Sequence, residues 1–484
     1  MKSPFISFLS KKEQLIDLGI FTAVAVAICV LMRIFYPFPF SYPDTGAYVL
    51  SASSDVYNVY RPMGFSNYLS FLHVFSDSIY FIFYATYFLL FLSTLTLLFS
   101  AKYILGIKNR WIFLIFGLLM LTNARMIFSC NLLMSDGIFL VLSIYLFATL
   151  IWLIYKPSII LVGLNLILLL FLCKIRYSGL FFFPLSILAL FLGYRGRKPL
   201  LQATVICLPV ILGIWFYQDT KTEYARETST ETFSGFGGWQ SINNASVLFP
   251  EAKNIPVSEF RTKQLKNLHT FLQARPDDCF ENEKALSTSY IWDNNLPYKI
   301  YNSYLLSISY KSYTDQWAAS GKLYGDYSKV LIRKYPFKYL ESFVIPSFFS
   351  NFKFKPFEEN NIDFVNEEMY RRYYGITVDR YSQKCHFFDR IEPLRKVLQL
   401  ILWIALGIAA ISYFAISINK ESWKDKRTVI LLFLLVSVFL ILGGQSVSSP
   451  NTTWRYTMPI LAPMFTFITG EAELLLGRFG RLRP

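Results

Sequence analysis

Residues 41–64 read SYPDTGAYVLSASSDVYNVYRPMG and follow directly on the first long apolar run, residues 16–37. They place a carboxylate, Asp44, just beyond the end of a candidate membrane span, followed by Tyr48, Asp55, Tyr57, Tyr60 and Arg61-Pro62. An ionisable group at a membrane boundary costs free energy unless it faces water, pairs with a partner or does chemistry. Packing alone is a poor account of Asp44.

The chain has 484 residues, is 54% hydrophobic and 18% aromatic, and contains 47 Phe and 32 Tyr. Its mean hydropathy is +0.39, too apolar for a soluble globule of this size. Several runs approach the roughly 20 apolar residues that cross a hydrocarbon core of about 30 Å. The expected fold is an all-α polytopic membrane protein with about ten spans: 16–37, 79–100, 111–128, 136–155, 158–173, 178–194, 199–217, 396–418, 428–446 and 457–476.

The net charge of +15 invites a nucleic-acid reading, but its placement argues against one. Lys11 and Lys12, Lys102 with Lys108 and Arg110, Lys156, Arg195 with Arg197 and Lys198, Lys420 to Arg427, and Arg478 to Arg483 fall in alternate connections. That is the positive-inside pattern, with both termini cytoplasmic. The first span lacks a small-residue cleavage site and reads as retained rather than as a signal peptide. Three histidines and no CxxC pair exclude a histidine-rich or zinc-ribbon metal site. Cys279 and Cys385 are the two cysteines of the large external segment, and an oxidising compartment would allow them to pair.

The organisation is therefore a membrane region over 1–217, an extracytoplasmic domain of mixed or mainly α structure over 218–395, and closing membrane helices over 396–484. The first external loop, 38–78, carries Leu69, Phe71, Leu72, Val74 and Phe75 as an apolar surface suited to lying at the interface. Residues 326–352 read as an interfacial helix pair, broken near Pro336 and ending near Pro346.

With this topology, polar residues from four places share the outer face. Asp44, Tyr48, Asp55 and Arg61 come from the first loop, and Asp136 opens the fourth span. Lys174, Arg176 and Tyr177 lie in a short turn, and Asn451, Trp454, Arg455 and Tyr456 precede the last span. Each has a plainer account. Asp136 suits a helix N-terminus, Arg176 and Arg455 suit span ends that snorkel, Lys174 suits a lipid headgroup, and Asp55 suits a solvated loop.

The order of these features resembles the GT-C superfamily of polytopic glycosyltransferases, in particular bacterial relatives of the protein mannosyltransferases and of the lipid A aminoarabinose transferase. The similarity lies in Asp44 of YPDTGAY, Arg61-Pro62-Met63-Gly64-Phe65, Asp136 of MSDGIFL, Arg176 of KIRYSGL and Arg455-Tyr456-Thr457-Met458-Pro459. There is no adjacent Asp-Glu pair in the first loop, and 218–395 matches no acceptor domain. The resemblance implies transfer from a polyprenyl-phosphate sugar to a glycan, lipid or protein acceptor, in a bacterial inner membrane.

The chemistry fits such a donor. Its anomeric carbon lies at the membrane surface, and the acceptor hydroxyl needs a base, for which Asp44 is the candidate. Arg176, Arg455, Lys174 and Arg61 would neutralise the departing phosphate. Asp136 would orient a sugar hydroxyl, a basic residue or a metal, and attack opposite the phosphate would invert the anomeric centre. Tyr48, Tyr456 and Trp239 are the expected substrate contacts. No cofactor is required, although Asp44 and Asp136 are the residues a Mg²⁺, Mn²⁺ or Ca²⁺ ion would use. The competing classes are a polysaccharide polymerase or ligase, which would not need Asp44, and a transporter or flippase, which would place its charges near the midplane.

Overall fold

The computed structural model describes residues 4–36, 39–42, 44–275, 296–306, 312–355, 367–375, 390–417, 424–449 and 454–479. Cys279, Cys385 and Asn451 lie outside them.

Among the described residues seven helices are long and apolar enough to cross a membrane: Lys12–Phe35, Ile79–Leu105, Asp136–Tyr155, Pro199–Thr228, Glu392–Ala415, Lys426–Ser448 and Trp454–Gly477. Arg110–Leu121 and Ala124–Cys130, bent by 42° at their junction, make an eighth if read as one span. The protein is thus an all-α, multi-pass membrane protein. The expected count of ten is not reached by length. The other two candidates, Ile159–Ile175 and Tyr177–Gly193, are apolar helices but short. A 17-residue α-helix covers only about 26 Å at 1.5 Å per residue.

At one end of the bundle Asp17 is fully buried and takes Lys102 Nζ at 2.9 Å and Arg110 Nε at 2.8 Å. Two of the basic residues counted towards topology therefore also neutralise a buried acid. The other end is organised by the first loop. Phe40 forms an isolated parallel bridge with Leu132; its N–H donates to the Asn131 carbonyl at 2.8 Å, and Leu133 N–H donates to the Phe40 carbonyl at 2.9 Å. This short pairing places the segment before Asp44 beside the segment before Asp136.

The loop then folds as two helices, Thr45–Ser54 and Gly64–His73. Its apolar residues divide: Leu69 and Leu72 are core, while Phe71, Val74 and Phe75 point outward. Asp55 closes the first helix at φ 53°, a left-handed conformation that Asp tolerates better than most residues, and it is exposed. Gly64 is required where it stands, because a Cβ there would lie 2.3 Å from the Lys174 carbonyl oxygen. The loop is thus pressed against the turn that carries Arg176.

The helix expected at 199–217 continues to Thr228 and leads into a second hydrophobic core around Trp239, Tyr298, Trp317, Tyr324 and Tyr327. Here Gly235–Ala245 crosses Tyr313–Lys334 at glycines; a Cβ on Gly238 would lie 1.6 Å from the Gly321 carbonyl oxygen. The helical path expected to end at Pro346 runs on to Ser350. A π-helical turn over Leu340–Val344 precedes Pro346, which sits at the start of the next helical segment, where its missing N–H costs least. Phe337, Leu340, Ile345 and Phe349 are exposed along this stretch, whereas Tyr339 and Phe343 are buried. The second core docks on the bundle through Tyr339 Oη donating to the Val447 carbonyl at 3.2 Å and Asn244 Nδ2 donating to the Ser448 carbonyl at 2.9 Å.

Candidate functional site

Two carboxylates and three guanidiniums, drawn from four distant stretches, gather where the first loop meets the bundle. Asp44 precedes the Thr45–Ser54 helix, and its Oδ2 accepts both Arg61 Nη2 at 2.9 Å and Arg61 Nε at 3.2 Å. Both bonds fall on one oxygen. Arg61 also lies over the Phe236 ring at 3.9 Å, which ties the pair to the second core. Burial pushes the Asp44 carboxyl up, but Arg61, and beyond it Arg455 and Arg176, more than offset this. Its pKa therefore falls below the ordinary aspartate value, and Asp44 is ionised at neutral pH. Burial works against the Arg61 charge too, and Asp44 overcomes it, so Arg61 stays fully charged.

Asp136 is the second anchor. Its carboxylate is 1% exposed. Arg176 Nη1 donates to Oδ1, and Arg455 Nη1 lies 3.4 Å from Oδ2. Helix capping does not account for this carboxylate, since it is spent on two arginines. Nor do the arginines snorkel: Arg176 is 21% and Arg455 12% exposed. Arg176 reaches Asp136 because its backbone is extended, φ −150° and ψ 137°, so its neighbours point the other way. Arg455 is backed by the Tyr42 ring at 4.7 Å, and its Nε is buried with no hydrogen-bond partner among the described residues.

The turn therefore serves two cavities. Arg176 and Ser178 line a cleft of about 80 Å³ together with Asp136, Arg455, Tyr456 and Gln445. Gln445 Oε1 is also buried without a partner there. Lys174, Ile175 and Tyr177 instead line a mostly apolar cavity of about 770 Å³ bounded by Pro62, Gly64, Tyr68, Phe71, Leu142 and Phe216. The small cleft has the size and charge for a single anionic group; the large one has the character of a hydrocarbon site.

Three expected contacts need correction. Trp239 is 2% exposed and donates from Nε1 to the Trp317 carbonyl at 3.1 Å; it is a core residue of the second cluster, away from the charged group. Lys174 does not join Arg176 on Asp136 but faces Asp219 at 3.6 Å and Glu223 at 3.9 Å, since it lies in the last turn of the Ile159–Ile175 helix, whereas Arg176 follows that helix with extended backbone. Tyr48 is buried under the site, with its hydroxyl 3.4 Å from Ser135 Oγ and its ring edge-on to Phe65 at 4.9 Å. It supports the site rather than contacting a substrate. Tyr456 does line the cleft. Sequence reasoning missed Gln445, Phe236 and Asn58. The first two carry no local signal, while Asn58, three residues before Arg61, has turn chemistry that could have been read.

The carboxylates do not form a metal centre as arranged. Asp44 and Asp136 belong to separate arginine pairs, and among the described residues no group of three His, Cys, Asp or Glu side chains could hold an ion. Comparison with protein-family models, with curated proteins and with solved structures finds no match to this chain.

Proposed function

We propose that this protein is a membrane glycosyltransferase that moves a sugar from a polyprenyl-phosphate donor to an acceptor hydroxyl. The observation that carries the reading is an ionised carboxylate, Asp44, grouped with a paired-arginine cleft beside a large apolar cavity. The prenyl chain takes the apolar cavity, and its phosphate takes Arg176 and Arg455. Both Arg61 bonds fall on Oδ2 of Asp44, so Oδ1 is the oxygen that accepts the acceptor's proton. The acceptor oxygen bonds to the anomeric carbon as the carbon–oxygen bond to phosphate breaks. The electron pair leaves on the phosphate, where the arginines stabilise it, and the configuration inverts. The charges gather at an end of the bundle rather than halfway along it, which favours transfer at a surface over transport.

Binding tests this directly. Purified protein incubated with polyprenyl-phosphate sugars is expected to retain the lipid in native mass spectrometry. Arg176→Ala and Arg455→Ala should each weaken retention by about tenfold or more, since a hydrogen bond to a charged group contributes about 1.5–3 kcal/mol. Lysine at either position should restore only part, lacking the planar two-point geometry of arginine. Full retention and activity in both alanine variants would remove the phosphate assignment.

In this reading the two short helices also cross, giving ten spans with both termini cytoplasmic, in a bacterial plasma membrane. The alternation of basic residues motivates the orientation. A cysteine replacing the exposed Lys266 should react with an impermeant maleimide from outside, and one replacing Lys424 should not. The reverse pattern would put the site on the wrong face for this donor.

A further inference from the structure

Tyr57 lines the apolar cavity and also a separate recess of about 300 Å³. The recess is walled by Ser51, Asn58 and Tyr60 of the first loop, by Glu227 at the end of the Pro199–Thr228 helix, and by Thr314 of the second core. No lysine or arginine is among its lining residues, and Arg226 beside it is already paired with Glu227 at 3.1 Å, so an anionic group entering it finds no free counter-charge in its walls. Beside the aliphatic Ala47, Leu50, Val56 and Val59, it offers hydroxyls, phenols, an amide, one carboxylate and two aromatic faces.

Those faces are held in place. The Tyr60 ring stands edge-on to Trp317 at 4.6 Å, and the Tyr57 ring edge-on to Tyr224 at 6.2 Å. Tyr224 Oη in turn donates to the Val59 carbonyl at 3.3 Å, fixing the loop between them. Burial pushes both the Tyr57 and Tyr60 phenols up, so both stay protonated and can donate and accept hydrogen bonds. Rigid rings with polar tips suit a ligand that has C–H faces and hydroxyl edges. That description is a sugar.

Asn58 joins the recess to the charged pair. Its Oδ1 accepts the N–H groups of both Tyr60 and Arg61 at 3.0 Å. Two donors aimed at one atom fix the amide orientation. Its Nδ2 is buried with no partner among the described residues, which leaves a donor for a ligand oxygen at the recess wall. Ser51 stands seven residues after Asp44, on the same side of the helix and about 10 Å along its axis. A ligand rooted in the recess and reaching Asp44 must be extended.

We propose that this recess binds the acceptor, and that the acceptor is a neutral carbohydrate chain held back from the hydroxyl that reacts at Asp44. Its role as acceptor site rests on the transferase reading; the recess's match to neutral sugars does not.

Full-length protein in lipid nanodiscs, free of sugar-headed detergent, would be titrated with maltotriose, mannotriose and chitotriose. A Ser/Thr tripeptide would be run in parallel, all read by saturation-transfer difference NMR. At least one trisaccharide is expected to bind. Tyr60→Ala should weaken that binding about tenfold, and so should Glu227→Gln, an exposed change that leaves the fold intact. Binding of no trisaccharide, parent-like binding by both variants, or preference for the tripeptide would overturn the proposal. Capture of a polyprenyl-phosphate sugar by wild-type nanodiscs is measured separately. Trisaccharide binding without lipid capture would keep the sugar site and sink the transferase reading. Lipid capture without trisaccharide binding would sink the recess alone.

Discussion

Asp44→Asn is expected to insert, fold and retain the polyprenyl-phosphate sugar, yet to transfer it about 10²–10⁴-fold more slowly. The substitution keeps the size of the side chain and a carbonyl oxygen for Arg61, while removing the capacity to take a proton. Retained binding with lost turnover is the signature of a base; a loss confined to binding would make Asp44 a positioning group. Asp55→Asn is the comparison, since Asp55 is exposed at the left-handed end of its helix and Asn tolerates the same conformation. The pH profile gives a second readout. Arg61, Arg455 and Arg176 together hold the Asp44 pKa below its ordinary value against the upward push of burial. The base form therefore persists as pH falls through the usual aspartate range, and the acid limb of transfer should lie below it. Arg61→Gln removes the largest of the lowering influences and leaves burial in place, so the limb should move to higher pH. Near-normal transfer by Asp44→Asn would refute the mechanism.

What was legible in the sequence followed from features that need no tertiary partner. Apolar length marked the helices, and the positions of Asp44, Asp136, Arg176 and Arg455 at helix ends marked one end of the bundle. The pairing was not legible. Nothing local assigns Arg61 to Asp44, or Arg176 and Arg455 jointly to Asp136. Those choices depend on the Phe40–Leu132 bridge and on the close approach of Gly64 to the 174–178 turn. Trp239 shows the limit of residue type as a guide. A tryptophan beside a site and one packed against Trp317 and Tyr324 have the same letter, and only the glycine crossing at Gly238 and Gly321 decides between them. Lys174 fails for a smaller reason: it belongs to the last helical turn and Arg176 to the extended residue after it, so closeness in sequence does not give them a shared target. Length and apolarity together assign seven or eight of the ten expected spans among the described residues; the other two, Ile159–Ile175 and Tyr177–Gly193, carry the hydrophobicity but are short.

Asp136→Ala should have the larger structural effect of the two acidic substitutions, because it leaves two guanidiniums in a largely buried cleft with no shared counter-charge. Removing one partner of a buried pair costs about 3–5 kcal/mol, and Arg455 already carries an unpartnered Nε. The variant should unfold at lower temperature than the parent and lose donor retention as well as transfer, since Asp136 is what holds Arg176 beside Arg455. Asp136→Asn, which keeps the shape and an acceptor oxygen, should fall between them. An anion supplied from solution distinguishes a binding cleft from a purely structural pair. If the two arginines are arranged to receive phosphate, inorganic pyrophosphate should raise the unfolding temperature of Asp136→Ala by more than it raises that of the parent. In the variant the added anion takes over the neutralising role of the lost carboxylate, whereas in the parent it must compete with that carboxylate. A parent-like unfolding temperature and parent-like lipid retention in Asp136→Ala would mean that the carboxylate neither stabilises the cleft nor positions its arginines. The phosphate would then have to be held elsewhere, with Lys174 at the rim of the apolar cavity the next cation to replace.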